Sequence, residues 1–432
     1  MFEKTRHIPD AKGELKKLDV VDYLSPKRLY YPVTNTRCAS ADLCVVENTD
    51  VKVGEVLGTR KGPFFVQPIH STVSGKYIGK ERHFDNSGKM VEYLVVENDG
   101  KNSLDPSIVE RSDAEIDKLT KDQFVEILKD KALVGLGGGA FPTYIKFDTK
   151  EKIDVVIGNG VECEPYLVSD YDTMKHNTKE MLQGLVYSMK AVNASKGVIA
   201  IKSKYVEVGE IIEKCINEYF PNQGIEVKRI GNYYPQGWEL EVIKNALGIT
   251  IPQGKLLSEY GIINVNVVTL VSIYNAIKKN LPVLSRHFVL SGDGIKNMAF
   301  EVKLGTKVDE LIAQAGGLID DGKNKVLVIG GPMMGANTPS GNFVVSHTVT
   351  SLIVLNEEPI NELPCLRCAS CVYSCPADLS PVRIMNACKT KDKEQLVELN
   401  VKNCIECGMC SYTCPSKIHL TDFMRLAKRL VR

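Results

Sequence analysis

The sequence has no surplus of either charge: 54 Lys and Arg stand against 53 Asp and Glu. A nucleic-acid binder normally carries a basic excess or stripe. Aromatic residues are scarce too, at 7% with one Trp, which argues against a base-stacking platform. Nucleic acid is therefore not an expected partner. Long apolar runs are also missing. The stretch from Val265 to Ile277 is broken by Asn266 and Asn275, and a spanning helix needs about 18 or more apolar residues in a row. No transmembrane segment of its own is expected, which leaves docking onto a membrane partner open. The first twenty residues, MFEKTRHIPDAKGELKKLDV, are charged throughout and lack the apolar core of a secretory signal. Disorder is excluded by a composition of 44% hydrophobic and 25% charged residues. A chain of 432 residues allows two to four domains at roughly 150 residues each.

Cysteine is what the sequence does have, in an uneven distribution. Nine of its 13 cysteines lie between Cys365 and Cys414. An odd count without an export signal makes a disulfide scaffold a poor explanation. The segments CLRCASCVYSCP, from Cys365, and CIECGMCSYTCP, from Cys404, both read C-x-x-C-x-x-C-x-x-x-C-P. They agree at 6 of 12 positions and repeat with an offset of 39 residues. This is the ligand run of two-cluster ferredoxins, in which the fourth Cys of each run serves the other cluster. Three closely spaced thiolates wrap three irons of a cubane, and the fourth iron takes a distant thiolate. The spacing assigns Cys365, Cys368, Cys371 and Cys414 to one [4Fe–4S] cluster, and Cys404, Cys407, Cys410 and Cys375 to the other. Zinc, which favours two C-x-x-C pairs, fits less well. The stretch from Leu379 to Asn403 reads as helical, which predicts an α-helical two-cluster module with Cys388 as a core thiol. After the second run, Leu420, Phe423, Met424, Ala427, Leu430 and Val431 form one helix face, and Arg425, Lys428, Arg429 and Arg432 occupy the rest. The helix reads as the closing element of the module. A basic contact to a membrane or acidic partner is the other reading.

A second motif lies mid-chain. VGLGGGAFPTYIKF runs from Val134 to Phe147, and Gly135, Gly137, Gly138 and Gly139 allow close backbone approach to an anion. Lys146 supplies a nearby charge. The run matches neither a dinucleotide fingerprint nor a P-loop, and a tight turn without a ligand is the competing reading. Ile153 to Ile157 then reads as a buried strand. Asn159, Glu162 and Glu164 follow at its C-terminal end, where α/β sheets bind ligands.

The glycine loop, the FPT triplet and N-x-x-E-x-E-P together resemble the C subunit of the Rnf electron-transport complex. The same fold is similar to the NADH-binding flavoprotein subunit of respiratory complex I. The resemblance implies that Gly135, Gly137, Gly138, Gly139, Lys146, Asn159 and Glu162 line an FMN, and that Phe141 and Glu164 face NADH. Tyr234 to Glu239, YPQGWE, resembles a family segment in which Gly237 and Glu239 lie near flavin and nicotinamide. Trp238 departs from the family's small residue, so it would either stack on a ring or close the pocket. Asn266 and Thr269 match a flavin-side segment.

Flanking regions complete the reading. Short strands with glycine turns between Tyr30 and Val96 resemble a lipoyl-like barrel-sandwich fold, without the exposed lysine of a carrier domain. The family's GG-x-HPP opening is absent, and Cys38 and Cys44 appear instead; they read as buried thiols. That altered opening leans towards a relative serving another reductase. Residues 284–356 resemble a soluble-ligand-binding (SLBB) β-grasp module, and His70 and His287 read as packing residues. The expected fold is a multidomain α+β chain: an extension over 1–28, a barrel-sandwich domain over 29–112, an FMN/NADH-binding α/β domain over 113–283, the β-grasp module over 284–356 and the cluster module over 357–432. The expected function is NADH oxidation through FMN and two [4Fe–4S] clusters to a protein redox partner: a ferredoxin, membrane Rnf subunits or a soluble reductase. No side chain is needed as acid or base. A cluster relay or adaptor without nicotinamide chemistry is the alternative. The expected location is cytoplasmic, free or held at the membrane by partners.

Overall fold

A computed structural model describes residues 7–431; Met1 to Arg6 of the expected extension, and Arg432 of the closing helix, lie outside the described residues. The central unit is a four-stranded parallel sheet in the order Ile225–Ile230, Lys196–Lys202, Val155–Gly160, Ile262–Asn266. Alternating side chains send Val156, Ile199, Ile201, Ile263 and Val265 to one face and Ile157, Val198, Ala200 and Ile262 to the other. Helices cover both faces, as a parallel sheet requires. Thr178–Ala191, Val206–Tyr219 and Val267–Lys278 pack on the first face, and Glu239–Leu247 packs on the second. Gly184 lets two of these helices touch, because a Cβ there would overlap the Leu270 carbonyl.

The barrel-sandwich unit consists of two sheets, one of four strands led by Arg28–Pro32 and one of three strands led by Ser40–Leu43. They close on Leu29, Tyr31, Leu57, Ile69, Leu94 and Val96. His70 joins this unit to the central one: its ring nitrogens lie 2.9 Å from the Gly54 carbonyl and 2.8 Å from that of Asp130. Cys38 is buried, as its reading required, but Cys44 is exposed with its thiol 3.0 Å from the Val56 carbonyl. Ala41 and Leu43 of strand Ser40–Leu43, and Val45 after it, pack towards the core, so alternation turns Cys44 to the outer face.

The extension is not a free arm. Its Val20–Tyr23 pairs in parallel with Met298–Lys303 and becomes an edge of the six-stranded β-grasp sheet. Leu15 packs with Val168 and Val289, wedging the segment between the central and β-grasp units. In the C-terminal module, helices Pro381–Lys389, Lys393–Glu398 and Leu420–Leu430 enclose Ile384, Met385, Leu396 and Met424, with Cys388 buried among them. Two basic residues of the last helix, Lys428 and Arg425, turn inward, while Arg429 is exposed. Lys428 donates to the Cys404 carbonyl at 3.0 Å, and both Lys428 and Arg425 pair with Glu406. Among the described residues, no helix is long and apolar enough to cross a membrane.

Gly184→Val tests the helix contact. Overpacking against a backbone carbonyl should cost about 1–3 kcal/mol, read as a lower urea midpoint and faster amide exchange over 267–278.

Candidate functional site

The C-terminal ends of the parallel strands meet the glycine loop, and most of the motif residues converge there. Thr269, in the first turn of helix Val267–Lys278, accepts the Leu136 N–H at 2.9 Å and pins the loop. Gly137 lies against Asn266, whose side chain would be 3.1 Å from an added Cβ. Gly138 has φ +102° and Gly139 has open space around it. The Gly139 carbonyl accepts from Arg37 of the barrel unit at 2.7 Å. Phe141 closes the loop, its carbonyl taking the Gly135 N–H at 2.8 Å.

Below the loop, Asn159 donates to the Gly237 carbonyl at 3.1 Å and accepts from Val161 N–H at 3.0 Å. Its neighbour in register, Asn266, donates to both oxygens of Asp170 at 3.0 and 2.9 Å. Lys146 donates to the Asn264 carbonyl at 2.8 Å; burial lowers its pKa, and nearby Glu239 partly opposes this. Trp238 caps helix Glu239–Leu247 and is half-buried. Among the described residues, four buried polar atoms here lack a partner: both amide atoms of Gln236, Asn264 Oδ1 and Thr143 Oγ1. Such atoms normally find a partner in protein, water or ligand. With the open glycines, they fit a polar, anionic cofactor.

The two glutamates diverge. Glu162 faces Lys12, an extension residue with a fully buried side chain. The Lys12 ammonium lies 2.8 Å from the Glu162 carbonyl and 3.3 Å from its carboxylate. Asp170 donates its N–H to the other Glu162 oxygen, and burial followed by the Glu162 charge pushes the Asp170 carboxyl up to about 7. Glu164, expected to face the nicotinamide, has both oxygens engaged within the protein. They accept from Met333 N–H at 3.1 Å, Met334 N–H at 2.9 Å and the Tyr234 hydroxyl at 3.2 Å. Burial raises its pKa despite these donors. Lys12, Arg37 and Asp170 were missed in the sequence because nothing local marks them; each reaches the site through a long-range contact.

The cysteines fall into two groups. Cys375 lines one cavity with Cys404, Cys407 and Cys410; burial raises the pKa of each of those three, and charge on the neighbouring Cys375 adds to it. Burial likewise raises the pKa of Cys371, with charge on neighbouring Cys414 and Cys365 adding to it. Cys375 therefore lies with the first three thiols of the second run, and Cys414 lies near Cys371 of the first. Among the described residues, no three metal-binding side chains converge on a single ion. Eight thiols in two C-x-x-C-x-x-C-x-x-x-C runs are the donor set of two four-iron clusters.

Comparison with known proteins places these parts in one arrangement. Residues 1–101 match the RnfC barrel sandwich hybrid domain, 128–275 the Nuo51 FMN-binding domain, 296–337 the SLBB domain and 359–415 the 4Fe-4S dicluster domain. The altered opening thus lies on the family's own scaffold. The chain is 32% identical over 438 residues to the C subunit of the Na(+)-translocating ferredoxin:NAD(+) oxidoreductase complex of Acetobacterium woodii, covering 99% of itself and 96% of that relative. It is 29% identical to the proton-translocating counterpart of Clostridium ljungdahlii, covering 87% of this chain and 81% of that one. A solved NAD+-reducing [NiFe]-hydrogenase shares the fold at TM-score 0.53 and 15% identity, over 73% of this chain and 61% of that one.

Two variants follow from this geometry. Lys12→Met leaves a buried carboxylate unpaired and should cost about 3–5 kcal/mol, read from the urea midpoint; adding Glu162→Gln should restore most of it. Cys375→Ala should remove the EPR signal of the second-run cluster, and Cys414→Ala that of the first. The opposite pairing of losses would overturn the shared-thiol assignment.

Proposed function

The chain belongs to the RnfC family, the C subunits of ion-translocating oxidoreductase complexes, and we propose that it exchanges electrons between NAD(H) and a protein redox partner through FMN and two [4Fe–4S] clusters. The observation that carries this reading is the position of the second cysteine run. Tyr234, in the segment that carries the flavin-side Gly237, donates to the Cys407 carbonyl at 2.8 Å, so the two cofactor sites share a wall.

When bound, a flavin converts a hydride into single electrons and each cluster carries one electron at a time. The residues supply binding and orientation. Gly135, Gly137, Gly138 and Gly139 present backbone to the flavin phosphate, with Lys146 as its counter-charge. Asn159, Glu162, Asn266 and Thr269 fix the loop and the polar floor. Phe141, Gly237 and Glu239 border the nicotinamide side, which must hold the donor ring close and aligned. Trp238, half-buried at a helix start, stacks on a ring in this reading. NADH releases two electrons and one proton as it becomes NAD+, and the site is open to the reverse direction. The partner is a ferredoxin, membrane proteins of the complex or a soluble reductase, and it meets the chain at the first run, where Cys365 and Cys368 are exposed.

Anaerobic reconstitution with iron, sulfide and FMN, followed by visible and EPR spectra during NADH addition, tests this function. Flavin bleaching followed by reduced-cluster signals is expected. Iron for two clusters without flavin binding or an NADH response would leave a cluster relay in its place.

A further inference from the structure

We propose that Tyr234 and Glu164 are positioning residues that hold the second cysteine run against the flavin domain, and that Cys404, Cys407, Cys410 and Cys375 therefore carry the flavin-proximal cluster. The proposal deepens the electron-transfer reading above and rests on it for the identity of the electron donor.

Three parts of the chain meet at one carboxylate. Glu164 comes from the central domain, at the end of its strand. The N–H groups of Met333 and Met334 come from a β-grasp turn, and Gly331 of that turn has no Cβ because the Glu164 carboxylate fills the space. Tyr234 completes the set. It is 1% exposed, and its hydroxyl bridges Glu164 at 3.2 Å and the Cys407 carbonyl at 2.8 Å. The next residue, Gly408, has φ +78°, and a Cβ there would lie 2.7 Å from the Met333 carbonyl, so the run is pressed onto the same turn. A second tie lies close by: Gln253 of the central domain donates to the Asn403 carbonyl at 2.9 Å. Tyr234, Cys407 and Met409 share one apolar cluster with Met333 and Cys163.

The first run is placed differently. Cys365 and Cys368 are exposed, with Leu366 at 67% and Tyr373 at 68%. Its polar ties stay within the module, such as Ser374 to Thr413 at 3.1 Å and the Pro364 carbonyl to Ser416 at 2.9 Å. One run is thus buried against the flavin domain and the other faces outward. Cluster potential depends on hydrogen bonds to the sulfurs and on exposure; the Tyr234 hydroxyl binds the Cys407 carbonyl rather than its sulfur, so it acts on the inner cluster only, through its dipole and the placement of that ligand loop.

The test is Tyr234→Phe in the full reconstituted chain. The change keeps the ring and removes the bridging hydroxyl. EPR-monitored titration with a chemical reductant reads both clusters without NADH. The reduced-to-oxidised ratio of the second-run cluster at fixed potential should fall about two- to tenfold, the worth of one hydrogen bond, and the first-run cluster should not move. KM for NADH with ferricyanide as acceptor should stay within about twofold while cluster reduction slows. Glu164→Gln, which sets an amide N–H2 against a backbone N–H, should shift the same cluster, and the double variant should add little to either single one. A shift confined to the first-run cluster would reverse the order of the two. A tenfold rise in KM with both potentials unchanged would make Tyr234 a nicotinamide residue and overturn the positioning role. If the parent chain ignores NADH, the electron-donor reading fails, while the reductant titration still decides the clamp.

Discussion

Burying a carboxylate obliges the chain to bring donors to it, and this obligation at Glu162 and Glu164 organises the molecule around its site. The two side chains are two residues apart and leave the strand end in different directions. Glu162 draws in Lys12 from 150 positions away. Glu164 draws in the β-grasp turn at Met333 and Met334, and through Tyr234 the cysteine run at Cys407. Either carboxylate left unpaired would carry a penalty comparable to much of a domain's net stability. The extension, the β-grasp module and the cluster module are therefore fastened to the central domain at its ligand-binding edge.

That arrangement suits electron transfer between sites. A flavin domain and a cluster module joined only by a flexible linker would have a variable separation. Here the second run is held by backbone and side-chain hydrogen bonds, and Gly331 and Gly408 permit contact at the backbone level. The closing helix adds to this, since Lys428 and Arg425 grip the loop that carries Cys404 and Glu406. Two residues of the basic face, Arg425 and Lys428, are thus used inside the module.

Motifs whose chemistry lies in local spacing were legible without a structure. The two cysteine runs, the glycine loop and the strand before Asn159 each specify their geometry within about a dozen residues. Asn159, Asn266, Thr269, Gly137 and Gly237 then come together because neighbouring parallel strands end at the same edge. Cys44 shows the limit of the same reasoning. Its burial depended on which face of the strand it took, and with Ala41, Leu43 and Val45 turned to the core it falls on the outer face.

By itself the sequence determined the domain order and the cofactor classes, because these follow from residue type and short-range spacing. Only the tertiary structure decided that the extension becomes a β-grasp edge strand, that Glu162 is matched by Lys12, and that Glu164 turns towards the β-grasp turn and Tyr234. The reason is physical. A strand edge or a buried charge is satisfied by whichever donor the packed fold delivers, and that donor can come from anywhere along the chain.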